Sequence, residues 1–292
     1  MANSRTISSL SDIANQVDAF FVDMFGVLWD GQAFYPEALQ ACQQLMQQGK
    51  KIYILTNTTM LAEGFREKYS SKGLILGKHY TDVITSGDAF QYELEHHAFL
   101  DEITHSDSSK YLLVGMPNDK LLRSVLARQT MDLNQASAVY MGALLKLQGN
   151  EYVHLETIDS FIPLLKQAIQ AKLPAICVNP DHFAIINKKK CVVQGSLGHW
   201  YEEQGGRVYW FGKPYQDLYA YALNKTQMHA NYCVMVGDTI RTDILGGKNA
   251  GMQTVLITGY GVTHDRIHNG ETLEQIIEQE KATPDFLLSV FR

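Results

Sequence analysis

The chain has 292 residues, of which 46% are hydrophobic and 19% charged, so it can bury a substantial core and is neither disordered nor fibrous. A formal net charge of -6 gives no long-range positive field, which argues against non-specific nucleic-acid or anionic-lipid binding and makes a small molecule the default partner. The opening MANSRTISSLSDIANQ lacks a basic segment followed by an apolar one, and no run has the ~18 apolar residues of a membrane span, so a soluble cytoplasmic protein is expected.

The first element in chain order is AFFVD, a buried strand that ends abruptly at Asp23. A helix is expected over Pro36 to Gln48, then the strand KIYILTN ending at Thr56 and Asn57, then a helix over Met60 to Ser70. The segment ITSGDAFQYELEHH reads as a further strand and helix of the same unit. YLLVG, AVYMG and AICVN follow, alternating with helical stretches such as Asp159 to Ala171. VYWFGK, ending at Lys213, is read as another strand of the main sheet, with a helix over Tyr215 to Leu223. YCVMVGD ends at Asp238, a helix covers Thr242 to Ala250, and a last strand runs from Thr254 to Ile257. Alternation of buried strands and helices predicts an α/β fold with a doubly wound parallel, Rossmann-like sheet.

Thr56 and Lys213 are 157 positions apart, far beyond a crossover connection, so an inserted domain is required. The insertion is expected to be α/β and to cover residues 105–205, leaving 1–104 and 206–292 as the main unit. Lys188, Lys189 and Lys190 between two apolar runs suggest a solvated hairpin turn or, alternatively, a phosphate-steering patch. Cys42, Cys177, Cys191 and Cys233 have no CxxC spacing and read as buried thiols. The histidines form no HExxH pattern, and His96 and His97 read as a solvated helix face.

In doubly wound sheets ligands bind beyond the carboxyl ends of the strands, where Asp23, Thr56, Lys213 and Asp238 all fall. A carboxylate held rigid and partly desolvated beside a cation suits nucleophilic attack, and Gly26 allows a tight turn next to it. Thr56 and Asn57 can donate to phosphoryl oxygens, and Lys213 can offset the charge gathered where a carboxylate meets a phosphate. Asp238 and Asp243 are hard oxygen ligands of the type Mg²⁺ prefers. Singly, each is also ordinary cap, turn or surface chemistry. Four polar signals, each ending a separate apolar strand, point together to an anion and metal site.

The strings DMFGVLWDG, ILTNTT, FGKPY and VGDTIRTDILGGKNAGM resemble, in order, the four motifs of the haloacid dehalogenase superfamily. The insertion lies where that superfamily carries its larger cap, and VNPD followed by GSLG resembles the cap of its sugar-phosphatase and nitrophenyl-phosphatase-like branch, subfamily IIA. The resemblance implies a Mg²⁺-dependent hydrolase acting on a small phosphorylated metabolite through an aspartyl-phosphate. Asp23 would be the nucleophile, Thr56 would hold the transferring group, and Lys213 would neutralise both. Mg²⁺ would be held by Asp23, the Phe25 carbonyl and Asp238, with Asp243 in support, while Asn57, Asn179 and Asp181 would contact substrate.

Phosphatases of the superfamily carry a second Asp two residues after the nucleophile, as general acid and base. Here that residue is Phe25, which retains the carbonyl but not the proton-transfer group. A positioned acid or base is worth ~10²–10⁴-fold, so slow turnover is expected. A phosphate-ligand binding or regulatory protein and a dehalogenase-like displacement at carbon remain alternatives. A homodimer is left open, since no apolar surface can be assigned from sequence.

Overall fold

A computed structural model of the chain describes residues 4–97, 99–104, 109–116, 120–148, 151–186 and 189–292. The strands in chain order are β1 (Arg5–Thr6), β2 (Ala19–Val22), β3 (Lys51–Thr56), β4 (Asp82–Thr85), β5 (Tyr111–Val114), β6 (Gln129–Thr130), β7 (Ala138–Met141), β8 (Leu145–Gln148), β9 (Glu151–His154), β10 (Ala175–Cys177), β11 (Phe183–Ile186), β12 (Lys189–Val192), β13 (Val208–Trp210), β14 (Cys233–Gly237), β15 (Gln253–Ile257) and β16 (Phe286–Leu288). They divide between two compact units: Met1–Thr56, Ala62–Ile84 and Lys213–Arg292 form one, and Asn57–Leu61 with Thr85–Gly212 form the other.

The first unit is built on a seven-stranded sheet of order β1-β16-β15-β14-β2-β3-β4. Its central strands are buried along their length because they are continuous apolar runs: AFFV in β2 and CVMVG in β14 are sealed at every position. Phe20 and Phe21 are completely buried, each worth ~1.5–3 kcal/mol of transfer from water. From β2 the chain moves outward to β3 and β4; from β14 it moves the opposite way to β15 and β16. The order therefore reverses between β2 and β14, which are parallel neighbours with Val22 opposite Val236. This is the Rossmann-like α/β fold expected from the alternating pattern, and the reversal opens a crevice at the strands' carboxyl ends.

The helices of this unit lie close to their expected limits, at Pro36–Gln47, Ala62–Ser70 and Gln216–Thr226. Over 242–250 the structure differs. Ile240–Ile244 is a π-helical turn that continues into an α-helix over Leu245–Asn249.

The second unit contains a five-stranded sheet of order β13-β10-β7-β5-β6, parallel throughout, together with the antiparallel pairs β8-β9 and β11-β12. It is α/β, as expected of the insertion, but it divides from the first unit at other positions. The strand Val208–Trp210, expected in the main sheet, pairs instead with β10, with Val208 opposite Ala175 and Trp210 opposite Cys177. The helix Ser86–His96, expected in the main unit, also belongs here. Phe90 on that helix packs with Leu100, Tyr140 and Phe211 in one buried cluster, and its ring lies 4.9 Å from that of Phe211. This apolar cluster packs Phe90, Leu100 and Phe211 into the second unit, which by compactness comprises Asn57–Leu61 and Thr85–Gly212, where the sequence expectation is 105–205.

The hairpin expected around Lys188 to Lys190 is present as β11 and β12, with Ile186 opposite Lys189. Its turn, including Lys188, lies outside the described residues. Cys42, Cys177, Cys191 and Cys233 are buried free thiols. His96 and His97 are exposed, and His96 Nδ1 bonds to the Tyr92 carbonyl one turn earlier. Among the described residues no helix is long and apolar enough to cross a membrane.

Candidate active site

Asp23 follows directly on β2, and its N–H donates to the Val236 carbonyl of β14 at 2.9 Å, fixing the turn against the neighbouring strand. Gly26 then has φ +74, a left-handed conformation unfavourable for other residues. A Cβ there would stand 2.4 Å from Asp238 Oδ2, so glycine is needed both for the turn and for the approach of that carboxylate. Asp238 follows β14 in the same way, and Asp243 comes five residues later on the π-helical turn. Carboxylate oxygens of Asp23, Asp238 and Asp243 lie within 4.8 Å of one another.

Lys213 is the cation among them. Its ammonium donates to Asp23 Oδ1 at 2.5 Å and to Asp243 Oδ1 at 2.8 Å, and its side chain is 3% exposed. Backbone donors complete the set. The Thr239 N–H bonds Asp243 Oδ2 at 3.1 Å, and the Val262 N–H, in the first turn of the helix Gly261–His268, bonds Asp238 Oδ2 at 2.5 Å. Both oxygens of Asp243 are thus engaged, whereas Asp23 keeps one oxygen outside the lysine contact.

The electrostatics follow from the count of charges. Full ionisation of the three carboxylates beside one ammonium would leave two negative charges uncompensated in a largely buried place, where desolvation costs several kcal/mol per ion. Burial pushes the Asp23 carboxyl up to about 7 against the pull of Lys213, with Asp243 adding to the rise. Burial likewise holds Asp238 well above the usual carboxylate range, helped by Asp243 and Asp23. Burial alone would depress Lys213, but Asp23 and Asp243 overcome it and raise the group above its ordinary value. An all-oxygen donor set with surplus negative charge fits a hard divalent cation such as Mg²⁺.

Thr56 ends β3, buried, two residues past the Ile54 that lies opposite Val22. Phe25 is 40% exposed, a large apolar side chain left partly open two residues from Asp23. The remaining predicted site residues belong to the second unit. There the Asn57 amide donates to Asp181 Oδ1 at 2.9 Å, and the Asp181 N–H is held by Asn179 Oδ1 at 3.0 Å, so the three form one hydrogen-bonded chain.

Sequence reasoning missed the Thr239 and Val262 N–H groups, because a backbone donor carries no residue-type signal. Gly261 was the available clue: φ is +83, and a Cβ would lie 2.1 Å from Asp238 Oδ2.

The first unit thus holds a carboxylate cluster around one buried ammonium at the switch point of a doubly wound, Rossmann-like sheet, an arrangement suited to binding a cation and an anion together. A sequence model described as haloacid dehalogenase-like hydrolase matches residues 20–126, and a second, described as HAD-hyrolase-like, matches 210–289. Together the two matches span 187 of the 292 residues, and the chain belongs to the haloacid dehalogenase superfamily. It is 40% identical to ribonucleotide monophosphatase NagD of Escherichia coli over 83 residues, which is 28% of this chain and about a third, 32%, of that protein. With phosphoglycolate phosphatase 2 of Arabidopsis thaliana it shares 22% identity over 288 residues, 91% of each chain. Among solved structures, a haloacid dehalogenase-like hydrolase from Brucella suis 1330 has the same fold, with a TM-score of 0.79 at 23% identity, covering 98% of this chain and 100% of that one.

Proposed function

We propose that the protein is a Mg²⁺-dependent phosphatase-type hydrolase acting on a small phosphorylated metabolite through an aspartyl-phosphate at Asp23. The observation that carries this reading is the buried cluster itself: a strand-end carboxylate bonded to Lys213, with Asp238 and Asp243 within reach of the same cation. Phosphoryl transfer needs little from a protein beyond positioning and charge compensation, and this cluster is built to supply both. The phosphatase names of relatives in Escherichia coli and Arabidopsis support the same class of reaction.

In the proposed reaction an Asp23 oxygen forms a bond to phosphorus as the ester P–O bond breaks, and the departing oxygen takes its proton from water or from the substrate. Water then attacks the aspartyl-phosphate, releasing phosphate and restoring Asp23. Lys213 balances the charge on Asp23 and on the group in transfer, and Thr56 holds phosphoryl oxygens. Mg²⁺, held by Asp23, the Phe25 carbonyl and Asp238 with support from Asp243, would supply further charge compensation. Asn57, Asn179 and Asp181 are proposed to contact the rest of the substrate.

Phe25 supports a second reading. An aromatic side chain cannot donate or accept the proton that an acid at this position would, so a protein that binds a phosphorylated ligand without useful turnover is the alternative. Displacement at carbon, as in dehalogenases, is less well supported, because Asp238 and Asp243 would repel an anionic attacking carboxylate unless a cation is present.

Phosphate release from p-nitrophenyl phosphate and a panel of phosphorylated metabolites, with and without Mg²⁺, tests the proposal against Asp23→Asn. Metal-dependent release that vanishes in the variant is the expected result. Binding of phosphorylated compounds with no release above the variant's background would favour the second reading, and halide release from 2-haloacids the third.

A further inference from the structure

Tyr219 sits on the helix Gln216–Thr226 between Leu218 and Ala222, all three buried, in a setting where phenylalanine would pack as well. Burying a hydroxyl without a partner costs ~1–3 kcal/mol, so its placement needs an account. The hydroxyl points at the main chain of the π-helical turn, 3.3 Å from the Thr242 carbonyl and 3.5 Å from that of Asp243. In that turn the Thr239 carbonyl accepts from two N–H groups, those of Asp243 at 3.0 Å and Ile244 at 3.4 Å, so the regular ladder is broken just where Asp243 leaves it. The Thr242 carbonyl already accepts from the Leu245 N–H, and the phenol adds a second donor to it from outside the helix, tying the irregular turn to the neighbouring helix.

A second feature fits the same contact. A Cβ at position 246 would lie 2.4 Å from the Tyr219 hydroxyl oxygen, so only glycine lets the phenol reach the turn. The turn in turn sets Asp243, whose two carboxylate oxygens hold the Thr239 N–H and the Lys213 ammonium.

We infer that the Tyr219 hydroxyl is a positioning group that braces the π-helical turn and so holds Asp243 against Lys213 beside the carboxylate cluster. The inference deepens the proposed function and rests on reading that cluster as the hydrolytic, cation-binding site. Tyr219 touches no reacting atom in this scheme; it acts through Asp243.

Tyr219→Phe, which keeps the ring and its packing, is the test. The native protein and the variant are titrated with Mg²⁺, following thermal unfolding and p-nitrophenyl phosphate turnover, and amide hydrogen exchange is mapped without metal. The hydroxyl's loss is expected to raise half-saturating Mg²⁺ by about 2- to 10-fold, the size of one neutral hydrogen bond. Exchange should quicken over residues 239–247 alone, and kcat should fall while the KM for the ester is kept. Unchanged Mg²⁺ dependence with unchanged exchange would overturn the inference, as would faster exchange spread over the whole first unit. If the native protein responds to Mg²⁺ but releases no phosphate, the proposed function falls while the Mg²⁺ titration and the exchange map still decide the role of Tyr219. A native protein indifferent to Mg²⁺ would overturn both.

Discussion

The Lys213 ammonium donates to Asp243 Oδ1 at 2.8 Å, with the lysine side chain 3% exposed and the aspartate 1% exposed. Such a pair adds little to stability relative to an apolar pair, but breaking it strands a buried charge.

Replacing Lys213 with Met should therefore destabilise the protein by about 3–5 kcal/mol, the typical cost of removing one partner of a buried pair. Asp23, Asp238 and Asp243 would be left together without their ammonium. Urea unfolding of the metal-free protein reads this directly, and a native-like midpoint would show that the pair is dispensable for folding. Added Mg²⁺ should recover part of the loss.

The raised Asp23 carboxyl makes a pH prediction whose sign is fixed by linkage. In the unfolded chain Asp releases its proton near pH 3.9, whereas the folded, metal-free protein holds it to about 7, so the folded state binds more protons between those values. The stability contributed by this proton is complete below pH ~4 and is lost as pH rises through about 7. Melting with a chelator from pH 4.5 to 7.5 should show this decline, and Asp23→Asn should lessen it, the raised Asp238 carboxyl accounting for the remainder. Saturating Mg²⁺, which favours the ionised carboxylate, should oppose it.

Asp238→Asn separates folding from cation binding. It removes one negative charge from a buried cluster that already has too many, and the amide oxygen can still accept from the Val262 N–H. The metal-free variant should melt at or above the native temperature, while the rise in melting temperature on adding Mg²⁺ should vanish. Retention of that rise would exclude Asp238 as a ligand.

Phe25 sets the expected kinetics. With no carboxylate to prepare water, an aspartyl-phosphate formed from an activated ester should break down slowly, giving a burst of leaving group stoichiometric with enzyme. A linear time course with no trapped phosphoenzyme would argue against it. Phe25→Asp should raise steady-state turnover, and because the side chain is 40% exposed the change should cost little stability.

The strand ends at Asp23, Thr56 and Asp238 were legible because an apolar run that stops at a polar residue is a local pattern. Sheet membership is not local. Val208–Trp210 looks like any buried strand, yet its hydrogen bonds go to Ala175–Cys177, and nothing within VYW says so. The boundary near residue 85 was hidden for a related reason: Phe90 reads as helix core from either side, and only its contact with Phe211 reveals which core. The mutual proximity of Asp238 and Asp243 was partly visible in their spacing, but the π-helical turn between them was not, since it depends on Tyr219 far along the chain and on the glycine at 246.

The division of the chain at Thr56/Asn57 and Gly212/Lys213 bears on how such a protein can be altered by recombination. Two of the four joints between units fall on the very residues proposed to handle the phosphoryl group, so an exchange of the 85–212 segment with that of another protein has a clean seam only at Ile84/Thr85. At the far seam even a one-residue slip would displace Lys213 from Asp23 and Asp243. Chimaeras should tolerate variation at the near junction and demand an exact splice at the other, a constraint that ties the inheritance of the inserted unit to the inheritance of the lysine.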